Sequence, residues 1–409
     1  MQTPRRKHSD HLSPSEARLP TALETATFAV TLLEDNPLFN SAHGSVFTRD
    51  GINELEASVM VSRGRAKRCA AVSLVRRVRN PILLARAMLE RGEADLGGKN
   101  GEHRGPLAAG SDSDAAESGL DVPSAQGHTI VSGPAAEALA RKYGLELVDP
   151  GYFFTKARWD EHRRALQREK EGKGLSTWSA EEFLPQGTCG AVALDEGGVL
   201  CCATSTGGMT NKLGGRIGDT PVPGAGFWAE EWHEEGDPTA GGPGGQAYFA
   251  PNSPVVAVSE GLRGLLGDCL PSPFVYAPFP SQVRRGLSTT RSFAASGTGN
   301  GDSFLRISAV RTVAAMARFQ PLSSAIAVGR VAGPTGELQR SAQDRWGKTG
   351  EGEGGMIGIE CAVVRGHDGS VAETRGEIVQ DYNCAGMFRA WIDDDGAAVV
   401  RIWRDDAEL

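Results

Sequence analysis

A chain of 409 residues, 40% hydrophobic and 23% charged, has the composition of a globular enzyme and the length of one large domain or two ordinary ones. The net charge of −8 argues against electrostatic binding to nucleic acid, and no apolar run is long enough to span a membrane. Because the sequence shows no secretory signal and its seven cysteines are scattered, we expect a cytoplasmic protein.

The hydrophobic pattern of the first half predicts helices and strands separated by Gly-rich or charged segments. Residues 1–14 are predicted to be disordered, and 97–127, rich in Gly, Ser and Asp, are typical of a mobile insertion. Residues 157–186 are predicted to be a helix that frays into a tether. The other predicted elements are a helix within 15–33, strands at 45–48 and 55–60, and helices at 81–90 and 133–144.

The second half begins with two apolar runs joined by the turn Glu196-Gly197-Gly198, a pattern that predicts a pair of strands. Residues 230–290 are weakly patterned and are predicted to be a long surface insertion. The remaining predicted elements are a strand at 290–296, a helix at 303–319, and closing strands within 352–360 and 387–402.

The Gly187-Thr188 bond is the most informative feature of the sequence. A threonine that starts a strand can serve as a nucleophile if it is the amino-terminal residue, because its own amine then acts as the base for its hydroxyl. Thr188 lies deep in the chain, so this chemistry requires the chain to cleave itself after Gly187.

Residues 187–229 resemble the mature amino terminus of the plant-type asparaginases and isoaspartyl peptidases, a family of N-terminal-nucleophile hydrolases. The resemblance implies an α+β fold, a four-layer αββα sandwich, with the chain cleaved into an α-subunit, 1–187, and a β-subunit, 188–409. It also implies a homodimer of αβ units, a small-molecule substrate and no organic cofactor. The expected reaction is hydrolysis of the side-chain amide of L-asparagine or of β-aspartyl dipeptides.

The resemblance assigns roles to residues of this stretch by their position in the motifs. An aspartyl substrate presents an α-carboxylate and an α-ammonium group, which a guanidinium and a carboxylate complement. By motif position Thr188 is the nucleophile, Thr206 supports its hydroxyl, Gly207 and Gly208 permit a close backbone approach, Arg216 binds the α-carboxylate and Asp219 binds the α-amine.

A second part of the site is expected in residues 296–302, SGTGNGD. By the same resemblance, the Thr298 hydroxyl and the Gly299 backbone amide form the oxyanion hole. A Gly-rich loop before a helix is also compatible with phosphate binding, but this loop lacks the Lys-[Ser/Thr] ending of a nucleotide-binding P-loop.

The loop near Asn40 resembles the asparagine-bearing loop of the family, and Asn40 is expected to reach the scissile region. Ala42 stands where the family has glycine, which matters if that position needs a positive φ. The resemblance implies a structural sodium ion held by the backbone carbonyls of Leu33, Glu34, Asn36, Phe39, Ser41 and His43.

Two other nucleophiles and three other functions remain open at this point. Cys189 would be second in the cleaved chain, and Ser205 has no histidine within its motif, so both are weaker candidates than Thr188. The family's first strand, ending in His-Gly-Gly-Ala-Gly, has no counterpart in residues 1–22, and a non-catalytic family member is therefore one alternative. A protein-cleaving threonine aspartase and a glycosylasparaginase are the other two.

Overall fold

The computed structural model describes residues 18–65, 68–95, 120–172, 187–236, 255–257, 275–277, 287–320 and 322–403. Helices α1–α8 span Ala22–Glu34, Pro81–Asp95, Gly133–Lys142, Lys156–Lys170, Gly301–Ile307, Ala309–Phe319, Ser324–Ala332 and Glu337–Ala342. Strands β1–β6 span Leu55–Val61, Cys69–Val75, Ile130–Ser132, Cys189–Leu194, Leu200–Thr206 and Phe227–Glu235. Strands β7–β13 span Val255–Ala257, Val275–Ala277, Ser288–Gly299, Gly354–Arg365, Val371–Tyr382, Arg389–Ile392 and Ala398–Arg401.

Local sequence explains where the first two helices begin. Thr21 caps α1: its hydroxyl accepts the Glu24 amide at 3.2 Å, and the Glu24 carboxylate accepts the Thr21 amide at 2.8 Å. Such a reciprocal pair is worth about 1 kcal/mol because it satisfies amides that have no partner within the helix. Helix α2 begins at Pro81, since the first position of a helix needs no amide hydrogen.

Two sheets form the centre of the protein. The first has five strands in the order β3-β2-β1-β5-β4, and the second has four strands in the order β11-β10-β9-β6. The Thr204 hydroxyl on β5 and the Ser296 hydroxyl on β9 are 2.8 Å apart, so the two sheets meet face to face at this point. The short pairs β12-β13 and β7-β8 lie outside these sheets.

Buried apolar side chains form three clusters around the sheets. Val30 of α1 and Met88 of α2 pack with Val59 of the first sheet. Cys202 of the first sheet packs with Ala294 and Cys361 of the second sheet in one cluster. Phe293 of the second sheet packs with Val313 of α6 in the third cluster. The chain is therefore a mixed α+β structure with stacked sheets.

Most of the strongly periodic elements are confirmed. The predicted helices at 15–33, 81–90 and 133–144 correspond to α1, α2 and α3. The strand at 55–60 is β1, and the strand pair after Thr188 is β4 and β5. The strands expected at 290–296 and within 352–360 are β9 and β10, and residues 387–402 contain the hairpin β12-β13.

Other predicted elements need correction. Residues 45–48 form no strand, and the helix expected at 303–319 is two helices because Ser308 adopts a left-handed backbone with φ 47°. Strand β6 continues to Glu235 and β9 starts at Ser288, so both ends of the segment predicted as an insertion at 230–290 belong to the second sheet.

Some predictions fall on residues that the structure does not describe. Residues 1–14, most of 97–127 and the tether after α4 lie outside the described ranges. Among the helices within the described ranges, none is both long and apolar enough to cross a membrane.

Candidate active site

Thr188 immediately precedes β4, and this position places it beside Thr206. Cys189 pairs with Ser205 in the antiparallel register of β4 and β5, so Thr188 and Thr206 lie at the same end of neighbouring strands. Thr188 is half-buried, whereas Thr206 is almost fully buried. The Thr206 hydroxyl accepts the Gly208 amide at 3.0 Å, which fixes the turn that follows β5.

Gly187 faces the second sheet. A side chain on Gly187 would begin 3.3 Å from the Thr298 hydroxyl oxygen, so the predicted oxyanion-hole hydroxyl lies next to the residue that precedes Thr188. Thr298 and Gly299 end β9 and pair with Gly355 and Gly354 of β10. Gly299 has φ 147°, a backbone conformation that favours glycine.

Asn40 connects its loop to the turn after Thr206. Its side-chain amide donates to the Gly208 carbonyl at 2.8 Å, and its side-chain oxygen accepts the Val46 amide at 3.1 Å. The Asn40 carbonyl accepts the Gly207 amide at 3.1 Å. Asn40 is buried, so these bonds are shielded from water and hold the loop against Gly207 and Gly208.

Arg216 and Asp219 converge on Gly301, the first residue of α5. A side chain on Gly301 would begin 2.6 Å from Asp219 Oδ1 and 3.0 Å from Arg216 Nη2, so only glycine fits between the two groups. Arg216 Nη2 also donates to Asp302 Oδ2 at 2.9 Å. The predicted carboxylate-binding and amine-binding side chains therefore lie together, against the loop that carries Thr298 and Gly299.

The Asp219 carboxyl lies in an unusual electrostatic environment. It is 5% exposed, and its Oδ2 has no hydrogen-bond partner among the described residues. Burial, with smaller contributions from the charges of Glu56 and Asp302, raises the pKa of Asp219 to about 7, although Arg216 acts to lower it. A buried, unsatisfied carboxylate oxygen is costly unless a cation or a donor reaches it.

The alternative nucleophiles lie in poor surroundings for reaction. Cys189 is buried, and burial raises the pKa of its thiol to about 11, so the reactive thiolate is scarce at neutral pH. Ser205 is fully buried and donates its hydroxyl to Glu34 Oε1 at 2.6 Å. The Glu34 side chain itself is fully buried behind β5, a feature that the sequence analysis missed.

The sodium loop expected around Asn40 has oxygen donors that fit a hard cation. The carbonyls of Leu33, Asn36 and Ser41 each accept one backbone amide at 3.2 Å, and a carbonyl oxygen keeps a second lone pair for another partner. Ala42 has φ 40°, so the position does adopt a positive φ although it is not glycine. The described residues contain no cluster of His, Cys, Asp or Glu side chains suited to a metal ion.

The sequence analysis also missed a group of buried charges beneath Arg216. Glu54, Glu56 and Lys212 are each at most 6% exposed. The position of Glu56 within the apolar run Leu55–Val61 could have revealed these charges, because an acidic residue in a buried strand needs a specific partner.

Comparison with known proteins identifies the family of the chain. The sequence profile of the family described as "Asparaginase" matches residues 17–101 and 115–235. A protein of Escherichia coli (strain K12) named isoaspartyl peptidase is 32% identical over 374 residues, which cover 91% of this chain and 78% of that protein. The chain therefore belongs to the asparaginase family of N-terminal-nucleophile hydrolases.

Two further relatives show how far the similarity extends. A probable isoaspartyl peptidase/L-asparaginase 2 of Arabidopsis thaliana is 26% identical over 94% of this chain and 86% of its own length. A plant-type L-asparaginase of Pyrobaculum calidifontis is 34% identical over 51% of this chain and 56% of its own length.

Proposed function

We propose that this chain is a self-cleaving threonine amidohydrolase that releases L-aspartate from L-asparagine or from β-aspartyl dipeptides. The observation that carries the proposal is the convergence of Arg216 and Asp219 on Gly301, where one buried Asp219 oxygen has no partner among the residues that the structure describes. A guanidinium and a carboxylate side by side complement the α-carboxylate and α-ammonium of an aspartyl group. The names of the relatives favour the same two substrates.

The first reaction is cleavage of the chain itself. The Thr188 hydroxyl attacks the Gly187 carbonyl carbon, and the acyl group moves from the Thr188 nitrogen to its oxygen. Water then hydrolyses the resulting ester, which leaves a carboxylate on Gly187 and a free amine on Thr188. The Thr298 hydroxyl, close to Gly187, is placed to donate to the carbonyl oxygen as negative charge develops on it.

The second reaction uses the same hydroxyl on a substrate. The free Thr188 amine takes the proton of the hydroxyl as it attacks the side-chain amide carbon, and ammonia or an amino acid leaves with a proton. The β-aspartyl ester on Thr188 is then hydrolysed by water, which releases L-aspartate. Arg216 and Asp219 hold the α-substituents throughout, so the attacked carbon stays beside Thr188.

The same proposal includes the architecture and the ion. The apolar clusters on both faces of each sheet support a four-layer αββα sandwich that is cleaved into two subunits. The loop from Leu33 to His43 would hold sodium by its carbonyl oxygens, and the ion would stabilise the loop that presents Asn40. No chemical step uses the ion.

Substrate comparison tests the proposal. The purified, cleaved protein is incubated with L-asparagine, a β-aspartyl dipeptide, the same dipeptide acetylated on its α-amine, and a glycoasparagine. Hydrolysis of the first two, with loss of activity on the acetylated dipeptide, supports the assignment because acetylation removes the cation that Asp219 would bind. Equal hydrolysis of the acetylated and free dipeptides contradicts it and favours the threonine aspartase, whose internal aspartyl substrate has no free α-amine.

A further inference from the structure

Two acidic residues at the start of β1 are buried where apolar side chains are expected. Glu54 is 1% exposed and Glu56 is fully buried, and the intervening residue is the core residue Leu55. Glu54 immediately precedes β1 and Glu56 lies within it, and both carboxyl groups accept amides of the same short segment, at Gly215 and Gly218, so they lie near each other. Burying a carboxylate costs several kcal/mol unless neighbouring donors and cations offset the loss of water.

The donors come from the segment that carries Arg216. The Gly215 amide donates to Glu54 Oε2 at 2.9 Å, and the Gly218 amide donates to Glu56 Oε1 at 3.0 Å. Gly215 and Gly218 flank Arg216 closely on both sides. The two carboxylates therefore hold the backbone from which the Arg216 side chain extends.

Glu56 also acts on the guanidinium itself. A side chain on Gly218 would begin 2.8 Å from Arg216 Nη1 and 3.1 Å from Glu56 Oε2, so both groups lie on the same side of Gly218 with no side chain between them. Burial raises the pKa of the Glu56 carboxyl, and the charges of Lys212 and Arg216 both act against that rise, so Glu56 and the guanidinium attract each other. The attraction holds Arg216 near β1.

Lys212 is a second cation that interacts with Glu56. Its ammonium group is buried and donates to the Glu54 carbonyl at 2.8 Å. Burial lowers the pKa of Lys212, and the charge of Glu56 opposes that decrease. Glu56 thus interacts with the charges of both Lys212 and Arg216.

The register of the first sheet connects this group to the nucleophile. Glu56 pairs with Thr206 across β1 and β5, and Thr206 lies beside Thr188. Glu56 therefore connects the segment that carries Arg216 to the strand that lies beside Thr188.

We propose that Glu56 is a positioning residue that selects substrates with a free α-carboxylate by holding Arg216 in the binding geometry. This inference rests on the proposed function, because it assigns the α-carboxylate to Arg216. Glu56 does not touch the substrate in this account; it fixes the backbone of Gly218 and attracts the guanidinium.

The test is Glu56→Gln with two substrates that differ only in the group that Arg216 would bind. One is a β-aspartyl dipeptide with a free α-carboxylate on the aspartyl residue, and the other carries an α-carboxamide there. Glutamine keeps an oxygen that can accept the Gly218 amide but loses the charge. We expect KM for the carboxylate substrate to rise roughly tenfold or more while kcat changes little, and the KM of the carboxamide substrate to stay near that of the unmodified protein.

Glu54→Gln is the matched control. Glu54 bonds the same segment through Gly215 but pairs with Arg76 instead of Arg216, at 2.6 Å. Any loss that this variant shows should affect the two substrates equally. Thermal unfolding of both variants reports whether a variant is simply destabilised.

The outcomes distinguish a failure of the positioning role of Glu56 from a failure of the proposed function. A loss in Glu56→Gln that is confined to the carboxylate substrate supports the positioning role. Equal losses on both substrates, or a KM unchanged on both, overturn the positioning role alone. Failure of the unmodified, cleaved protein to hydrolyse either substrate overturns the proposed function and this inference with it.

Discussion

Gly187, two residues before β4 of the first sheet, and Thr298 of the second sheet meet at the proposed cleavage site, where a side chain on Gly187 would begin 3.3 Å from the Thr298 hydroxyl. The uncleaved chain therefore already holds a hydroxyl donor beside the bond that we propose it breaks. The same donor would serve both the first cleavage and every later turnover, because both pass through an oxyanion next to Thr188.

Replacing Thr298 with alanine should slow both reactions. Loss of one oxyanion-hole donor typically lowers the rate by roughly a hundred- to a thousandfold. The decay of the intact chain on a denaturing gel measures the first reaction, and kcat with a β-aspartyl dipeptide measures the second. Thr298→Ser, which keeps the hydroxyl, is the control, and normal rates in Thr298→Ala would exclude Thr298 from the oxyanion hole.

The Gly301→Ala substitution should damage substrate binding and leave self-cleavage intact. The added methyl would lie 2.6 Å from Asp219 Oδ1 and 3.0 Å from Arg216 Nη2, so both groups must move. We expect kcat/KM to fall by roughly tenfold or more, since small displacements of positioning groups are costly. Gly376→Ala is the matched control because a methyl there meets open space; equal activity of the two variants would contradict the assignment.

The pH dependence of kcat/KM should report the charge of Asp219. Burial raises the pKa of this carboxyl to about 7, so the form that pairs with an ammonium group is lost as the pH falls through about 7. Glu56, Arg216 and Asp302 also set this value and stay unchanged in the test. The free Thr188 amine, ordinarily titrating near ~7.7, should add to the same acidic limb.

Asp219→Asn removes one of these two groups. The acidic limb should become less steep in this variant, and kcat/KM at neutral pH should fall by roughly thirtyfold or more, as when one partner of a buried charge pair is lost. An acidic limb identical in shape to that of the unmodified protein would show that Asp219 does not titrate in the functional range.

The same substitution should raise stability at high pH. The pKa of Asp219 is raised from the ordinary value of 3.8 to about 7. The folded protein thus holds this proton more tightly than the unfolded chain, and the stabilisation present below about pH 4 is lost as the pH rises through about 7. The melting temperature of Asp219→Asn minus that of the unmodified protein should therefore be larger at pH 8 than at pH 5. A difference that is the same at both pH values would contradict this.

The elements around the site were predictable where local pattern and local signals agree. Pro81 and the apolar spacing that follows it specify α2, and the apolar runs on either side of the turn at Gly197 specify β4 and β5. The order of motifs from Thr188 to Asp219 also predicted which residues belong together. In the structure Thr188 lies beside Thr206, and Arg216 lies near Asp219 at Gly301.

Other features depend on tertiary contacts that no local pattern reveals. The acidic residue Glu230 lies in β6, 2% exposed, because Arg311 and Arg318 of α6 bond its carboxylate at 3.0 and 2.8 Å. From the sequence alone, an acidic residue such as Glu230 predicts a segment that is exposed to solvent. Ser308 breaks the helix at 303–319 without a Gly or Pro signal, and because a left-handed serine is rare, the sequence pattern does not predict this break.

The most direct test of the central claim is amino-terminal sequencing of the fragments that the purified protein forms on incubation, together with those of Thr188→Ala. The account predicts that a fragment of the unmodified protein begins with Thr188-Cys189-Gly190, that activity appears as this fragment accumulates, and that Thr188→Ala stays intact and inactive because alanine lacks the attacking hydroxyl. A Thr188→Ala protein that still splits after Gly187, or an intact chain that hydrolyses β-aspartyl dipeptides, would contradict it.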